Sequence, residues 1–348
     1  MTESFVQHRF DNILIPDSLH PTANDVFKKP KTIGEQDKSF HQWYRFVLSY
    51  PPHLVRDYIQ KFDLPKGAVV LDPFCGTGTT VVEAKLKGMR SIGLEANPFL
   101  QFASSVKIDW GIDPNKYEEA AEQIANQVRG TLEAQGLDDR TVYAFHRDTP
   151  LRDIPLDSKK LLIDNSISPL PLHKTLVLLD AIRERRGRPY YNHACLALGA
   201  ALVSSIGNLR FGPEVGVGKL KDDVPVVAVW LAQVRRMVSD LRSIQGQQFP
   251  AARIYLADAR NLTECLHRSQ IDAVITSPPY PNEKDYTRTT RLESVLLGFY
   301  HSKMELRAYK KTLLRSNTRG VYQDDDDDSW VEGHPELTRI AAAIEARR

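Results

Sequence analysis

Two short segments of this chain combine residue types that could do chemistry. They are Asp72-Pro-Phe-Cys-Gly-Thr-Gly-Thr-Thr80 and Thr276-Ser-Pro-Pro-Tyr280. In the first, Gly76 and Gly78 permit positive φ and let the backbone approach a ligand closely. A phosphate-binding P-loop would need a lysine after the second glycine, and a dinucleotide site would need a third glycine where Val81 stands. The segment therefore favours a ligand that is bound without a phosphate clamp.

An acidic residue stands where the ribose of a nucleoside ligand would need one. Glu95 follows Gly78 by seventeen residues and ends a predicted strand. A tight turn over a methionine moiety, with an acid at the tip of the next strand for the ribose hydroxyls, is the arrangement that an S-adenosylmethionine site requires. The alternative is a plain strand-to-helix turn, because a lone Gly-x-Gly is weak as a signal.

The second segment ends another predicted strand. Pro278 and Pro279 remove two backbone N–H donors and stiffen the loop. The Ser277 hydroxyl and the carbonyls are then left as acceptors, and Tyr280 supplies a ring. Such a group suits an exocyclic amine, whose two N–H groups would donate while the ring stacks on the base. The alternative is that the two prolines only end an edge strand.

Taken together, the two segments resemble those of the amino-group DNA methyltransferases. Ser277-Pro-Pro-Tyr280 is similar to the cytosine-N4 branch, because the adenine-N6 branch usually has aspartate or asparagine before its Pro-Pro. The resemblance covers roughly residues 41–104 and 253–320. It implies that Ser277, Pro278, Pro279 and Tyr280 form the catalytic loop.

The same resemblance assigns the cofactor site. It implies that Asp72, Phe74, Gly76 and Gly78 bind the cofactor in one loop and that Glu95 holds the ribose. Asp258 would reach the adenine amine, and Tyr50, in Ser49-Tyr-Pro-Pro52, belongs to a segment that closes over the methionine end. Carbon-5 cytosine enzymes attack the base with a cysteine that follows a proline, whereas Cys75 follows a phenylalanine. We therefore interpret Cys75 as a small residue that packs within the loop.

The implied reaction transfers a methyl group from S-adenosylmethionine to the exocyclic N4 of cytosine in double-stranded DNA, in restriction-modification or phage defence. Adenine-N6 methylation by the same fold is one alternative. A truncated or split subunit that binds cofactor or DNA without activity is another. An NAD-dependent oxidoreductase is disfavoured by Val81.

DNA contact would need a local basic surface, because the net charge of the chain is only +2. Residues 276–320 hold nine lysines and arginines against four acids, among them Arg288 and Arg291. A phosphate-binding face is one interpretation and ordinary solvated helix charge is the other. Arg210 and Lys219, in a predicted loop over Asn208–Lys219, are further candidates.

The elements that must position these residues indicate an α/β fold. Apolar runs predict strands near 67–72, 91–95, 253–257 and 271–276, and helical spacing predicts helices over 79–88, 115–135, 172–186, 191–206, 226–244, 292–300 and 335–347. We expect a Rossmann-like methyltransferase sheet interrupted by a helical insertion. The predicted organisation is an arm (1–40), a cofactor-binding half (41–110), a helical insertion that could recognise DNA (111–250), and a catalytic-loop part with a tail (251–348).

Four strands are fewer than the seven that the resemblance implies. After Thr276 the remaining 72 residues are mostly helical or polar, and residues 324–328 are all aspartate. We therefore expect that the C-terminal strands are missing from this chain. A second polypeptide would supply them, or truncation would have removed them.

Composition narrows the class of protein further. Apolar residues make up 42% of the 348 residues and charged residues 26%, as in an ordinary globular protein. The N-terminus lacks the pattern of a signal peptide, and no apolar run approaches the roughly 18 residues of a membrane span. Three scattered cysteines exclude a disulfide framework, and His41, His53, His146 and His193 show no metal-site spacing. We expect a cytoplasmic protein without a metal.

Overall fold

The computed structural model describes residues 37–45, 49–139, 150–212, 214–266, 271–280, 285–314, 329 and 332–347. The predicted N-terminal arm lies outside the described residues as far as residue 36. The aspartate run at 324–328 and His146 also lie outside them.

A parallel four-stranded sheet forms the centre of the fold. Its strands are β1 (Val69–Asp72), β2 (Arg90–Glu95), β5 (Ala252–Leu256) and β6 (Ala273–Val274), in the spatial order β5-β2-β1-β6. All three pairings are parallel, and in the central pair Leu71 lies opposite Ile92. The predicted α/β class and its four strands are confirmed, although β6 is shorter than expected.

Helices cover the sheet and fill the long segment between β2 and β5. They are α1 (Pro52–Lys61), α2 (Thr79–Leu86), α3 (Pro98–Ile108), α4 (Pro114–Ala134), α5 (Leu156–Lys159), α6 (Pro169–Arg183), α7 (Tyr191–Ala201), α8 (Val226–Ser243), α9 (Tyr286–Thr289), α10 (Arg291–Leu297), α11 (Lys303–Lys310) and α12 (Pro335–Glu345).

Several helix boundaries differ from the sequence prediction. Helix α6 begins at Pro169 rather than 172, because a proline at the first helical position has no N–H to lose. The predicted helix over 191–206 is α-helical only as far as Ala201 and continues as a π-helix over Leu202–Ile206.

The predicted loop over Asn208–Lys219 is wrong in part, because it contains a β-hairpin. Strands β3 (Leu209–Phe211) and β4 (Val215–Val217) pair antiparallel. Three-residue strands beside glycine and proline carry too little alternation to be recognised in the sequence. The base of the hairpin is fixed by Asn208, whose Nδ2 donates to the Asn165 carbonyl and to Ser168 Oγ, both at 3.0 Å.

The helical segment does not fold around a core of its own. One apolar cluster joins Phe99 of α3 to Ile124, Leu178, Leu198 and Trp230 of the helical segment, all of them without exposed surface. A smaller cluster on α1, α2 and the sheet includes Val55, Val70 and Ile275. The helices are therefore packed onto the sheet domain, while the predicted domain boundaries stay predictions.

Residues 37–45 are held in place by buried polar contacts. The Asp240 carboxylate accepts hydrogen bonds from Phe40 N at 2.9 Å and Trp43 Nε1 at 2.8 Å. On the other side His41 Nε2 lies 2.8 Å from Glu83 Oε1, and Arg56 bridges Glu83 and Asp37. The segment thereby ties α8 to α2.

The outer strands of the sheet leave apolar side chains exposed. Val274 on β6 is 53% exposed, and Leu256 on β5 is 57% exposed. Beyond β6 the described residues contain helices and no further strand. None of the helices among the described residues is both long enough and apolar enough to span a membrane.

Candidate active site

A cleft opens at the carboxyl ends of the strands, where the two chemical segments, residues 72–80 and 276–280, meet. Strand β1 has β2 on one side and β6 on the other, and such a reversal of strand order leaves a crevice. The cleft encloses about 980 Å³, including space open to solvent. Its lining includes the predicted residues Tyr50, Phe74, Gly76, Glu95, Asp258, Ser277, Pro278, Pro279 and Tyr280.

The glycines of the first segment have different surroundings. Gly76 has φ +53° and lines the cleft, where an added Cβ would meet nothing within 4 Å. Gly78 has φ +86° and does not line the cleft. An added Cβ there would lie 3.1 Å from Ser104 Cβ and from Val81 Cγ2. The first glycine therefore opens the backbone toward a ligand, and the second allows the turn to pack against α3.

Glu95 places a carboxylate in the cleft. Its Oε2 accepts a hydrogen bond from Gly76 N and its Oε1 accepts one from Asn97 N, both at 2.7 Å. Burial raises its pKa to about 7. A carboxylate has about four lone-pair positions, so acceptor capacity remains beyond these contacts and that of the Ala96 backbone. A ligand hydroxyl could donate to it.

Asp72 lies behind the loop rather than in the cleft, and it is fully buried. Its Oδ1 accepts hydrogen bonds from Phe74 N at 3.0 Å and from Thr276 Oγ1 at 2.6 Å. Burial raises its pKa, and these hydrogen bonds oppose that change. Asp72 therefore joins the two chemical segments without facing a ligand.

Tyr50 lies at the same junction. Its hydroxyl donates to Asp72 Oδ2 at 3.4 Å and contacts Thr80 Oγ1. Thr80 Oγ1 in turn donates to the Ile275 carbonyl at 3.0 Å. These contacts attach the segment before α1 to the strand that precedes Ser277.

The second segment lies at the mouth of the cleft. Ser277 is exposed, and Tyr280 is 61% exposed. Tyr280 N donates to the hydroxyl of Tyr286 at 2.8 Å, which fixes the end of the loop. The ring of Tyr280 is therefore presented to solvent on a held backbone, where a planar group could stack on it.

Asp258 lines the cleft but is already engaged by a neighbour. It accepts a hydrogen bond from Arg260 N at 2.9 Å and forms an ion pair with the Arg260 guanidinium. The turn after β5 is thereby closed. Asp258 lines the cleft together with Ala257 and Ala259, with both carboxylate oxygens already bonded to Arg260.

Two buried groups support the loop from below. Lys107 of α3 is 1% exposed, and its Nζ donates to the Thr77 carbonyl at 2.8 Å and to the Tyr44 carbonyl at 3.4 Å. Burial lowers its pKa to about 7. Cys75 is buried against β2, where a Cβ on Gly93 would lie only 2.7 Å from its Sγ. Burial also raises the pKa of the Cys75 thiol.

Comparison with known proteins finds DNA methyltransferases. The family model for N6/N4 methyltransferases, described as DNA methylase, matches residues 15–103. The Type II methyltransferase M.BsoBI of Geobacillus stearothermophilus is 29% identical over 295 residues, which cover 79% of this chain and 56% of that protein. Both matches support the N6/N4 amino-group DNA methyltransferase family for this chain.

Other relatives of the family are similar over different shares of the chain. The Type II methyltransferase M.AvaI of Nostoc sp. is 22% identical over 331 residues, covering 85% of this chain and 63% of the relative. M.MjaII of Methanocaldococcus jannaschii is 34% identical over 74 residues, 21% of this chain and 14% of the relative. The chain thus spans roughly three-fifths of the length of the first two relatives.

Type II enzymes of this methyltransferase family use S-adenosylmethionine as methyl donor. The cleft fits that cofactor on its own features. Glu95 keeps acceptor capacity that a ribose hydroxyl could use, Gly76 leaves open space beside the backbone, and Phe74 adds a ring. Among the described residues no group of three or more histidine, cysteine, aspartate or glutamate side chains could hold a metal ion.

The predicted DNA-binding residues lie outside the cleft lining. Arg288, Arg210 and Lys219 have exposed side chains. Arg291 is instead committed to the protein: its Nε donates to the Thr287 carbonyl at 3.1 Å and its Nη1 to the Leu161 carbonyl at 3.2 Å. Lys284, Arg315 and Arg319 lie outside the described residues.

Several residues of the site escaped the sequence prediction. Tyr286 and Tyr309 line the cleft from the helices that follow the second segment. Asn97 caps α3 by accepting from Phe99 N and Leu100 N, and its Nδ2 donates to Thr290 Oγ1 at 3.2 Å. Only the cap had a recognisable signal, the Asn-Pro pair at the start of a helix.

Proposed function

We propose that this chain carries the catalytic site of a cytosine-N4 DNA methyltransferase. The observation that supports the proposal is that Ser277-Pro-Pro-Tyr280 and the Glu95 carboxylate border one cleft. An exocyclic amine at the first could thus meet a nucleoside cofactor held at the second. Within this family, a serine before Pro-Pro-Tyr favours cytosine N4 over adenine N6.

The residues of the second segment would act on the amine. The lone pair of a cytosine amine is delocalised into the ring, which makes it a poor nucleophile. Hydrogen bonds from its two N–H groups to Ser277 Oγ and to the Pro278 carbonyl would favour a pyramidal nitrogen with a freed lone pair. Bound S-adenosylmethionine supplies an electrophilic methyl group. Holding the two groups in one cleft lowers the barrier by several kcal/mol.

The target base must leave the duplex to reach this cleft. Extrusion of a base costs a few kcal/mol. Stacking on an aromatic side chain returns about 1–3 kcal/mol per base. Tyr280, exposed and fixed through its N–H, is the ring that we assign to this stacking.

The relatives are named Type II methyltransferases. By analogy we place this activity in restriction-modification, with double-stranded DNA as substrate and the cytoplasm as the compartment that holds both substrates. Arg288, Arg210 and Lys219 are exposed and remain our candidates for contact with phosphates. Arg291 is a weaker candidate, because its guanidinium bonds Leu161 and Thr287.

The exposed outer strands favour an additional partner. An open sheet edge with half-exposed apolar residues such as Val274 tends to associate. We propose that a second polypeptide segment pairs with β6 and completes the sheet.

Analysis of the methylated base tests the proposed reaction. The chain is incubated with labelled S-adenosylmethionine and mixed-sequence DNA, alone and with a candidate partner, and the DNA is digested to nucleosides. N4-methylcytosine is the expected product. N6-methyladenine would refute the cytosine assignment while leaving the family intact, and absence of label in both samples would refute the proposed activity.

A further inference from the structure

One wall of the cleft comes from a helix that the sequence did not connect with the site. Helix α11 and the residues after it contribute Tyr309, Thr312 and Leu313 to the lining. Tyr309 is only 8% exposed, and its hydroxyl has no hydrogen-bond partner among the described residues. A buried hydroxyl without a partner in the wall of a cleft costs free energy until a ligand supplies one.

The surroundings of Tyr309 include the carboxylate that we assign to the ribose. Burial raises the pKa of Tyr309 well above its usual value, and the charge of Glu95 adds to the effect. The hydroxyl therefore stays protonated and can both donate and accept a hydrogen bond. It lies within electrostatic reach of Glu95 and lines the same cleft.

The hydrogen-bonding capacities of the two residues are complementary. Glu95 accepts hydrogen bonds from Gly76 N and Asn97 N and keeps acceptor capacity for a ligand. It can donate nothing when ionised. A ribose diol that gives its hydrogens to Glu95 leaves oxygen lone pairs without a donor, and a tyrosine hydroxyl supplies that donor.

We propose that the Tyr309 hydroxyl is a second polar ligand of the cofactor ribose, acting together with Glu95. The inference rests on the proposed binding of S-adenosylmethionine. It gives α11 a function in the site, because the helix would present the tyrosine that recognises the sugar. The nucleoside would then be held between the end of β2 and α11.

Tyr300 provides a matched control. Its ring stacks on that of Tyr309, with 6.3 Å between centroids and 16° between planes. Both tyrosines belong to one apolar cluster with Leu306. Tyr300 does not line the cleft. Loss of its hydroxyl therefore perturbs the same packing without removing a group that faces the ligand.

The test is calorimetric binding of S-adenosylhomocysteine and of its 2′,3′-dideoxy analogue to the unaltered chain, Tyr309→Phe and Tyr300→Phe, with thermal unfolding as a check on the fold. We expect Tyr309→Phe to weaken S-adenosylhomocysteine binding about five- to thirtyfold, as loss of one buried hydrogen bond would. Binding of the dideoxy analogue should be the same for all three proteins, and Tyr300→Phe should bind both ligands as the unaltered chain does.

Two results would overturn this inference and leave the proposed function intact. Normal affinity of Tyr309→Phe for S-adenosylhomocysteine would show that the hydroxyl does not touch the ligand. An equal loss for both ligands would show that the residue acts only through packing. If the unaltered chain binds neither S-adenosylmethionine nor S-adenosylhomocysteine, the proposed function falls and this inference falls with it.

Discussion

Replacement of Glu293 by glutamine should stabilise the protein at neutral and alkaline pH. Glu293 of α10 is fully buried, and its Oε1 accepts a hydrogen bond from the Tyr44 hydroxyl. Its Oε2 is buried without a partner among the described residues. Burial raises its pKa from 4.5 to about 7. Glutamine keeps an oxygen for Tyr44 and removes the ionisable group.

The size of the effect follows from the two pKa values. An unfolded chain loses the Glu293 proton near pH 4.5, whereas the folded chain keeps it until about pH 7. The free energy of unfolding therefore falls as pH rises between these values, and the full penalty applies above pH 7. At 1.36 kcal/mol per pKa unit the penalty is about 3 kcal/mol at pH 8. At pH 5 it is below about 1 kcal/mol.

Urea unfolding of the unaltered chain and of Glu293→Gln at pH 5 and pH 8 measures this quantity. The advantage of the variant should grow by about 2–3 kcal/mol between the two pH values. Glu345→Gln is the control, because Glu345 is exposed at the end of α12 and its replacement should make the same small difference at both. An advantage of Glu293→Gln that does not change with pH would refute the assignment of a raised pKa to this carboxyl group.

Three further predictions concern the cofactor site, the base-binding ring and the edge of the sheet. Glu95→Ala should weaken S-adenosylmethionine binding by about 1–3 kcal/mol, because the ribose hydroxyls lose their acceptor; unchanged affinity in calorimetry would contradict the ribose assignment. Tyr280→Ala should lose about 1–3 kcal/mol of base stacking and slow methyl transfer to DNA while leaving cofactor affinity unaltered; a normal rate would mean that the base binds elsewhere. The chain expressed alone should self-associate in sedimentation and transfer methyl groups poorly, because no strand of the described residues pairs with the outer edge of β6; full activity as a monomer would remove the need for a second polypeptide.

Much of the sheet was predictable because its signals are local. Apolar runs such as Ala68-Val-Val-Leu71 are followed by an acidic residue and a turn, which is typical of a buried parallel strand. The two chemical segments end such strands, so their position at one edge of the sheet follows from the parallel arrangement.

The contacts beneath the cleft could not be predicted in the same way. Tyr44 and Glu293 are 249 positions apart, and Asp72 and Thr276 are 204 positions apart. The sequence around Lys107 does not predict that its amine donates to the carbonyl of Thr77, because that contact depends on how α3 packs under the loop. Such pairs are set by tertiary packing and leave no periodic pattern.

The contact between Cys75 and Gly93 limits how the two positions can change during evolution. A methyl group on Gly93 would lie 2.7 Å from the Cys75 sulfur and 2.9 Å from Ile254 Cδ1, too close for either to stay in place. The loop therefore packs directly on β2. The combined size of the residues at positions 75 and 93 sets the distance between the loop and the sheet. Neighbours in contact show non-additive mutational effects. A larger residue at 93 should be tolerated only when the residue at 75 becomes smaller, so the two positions should vary together among functional sequences.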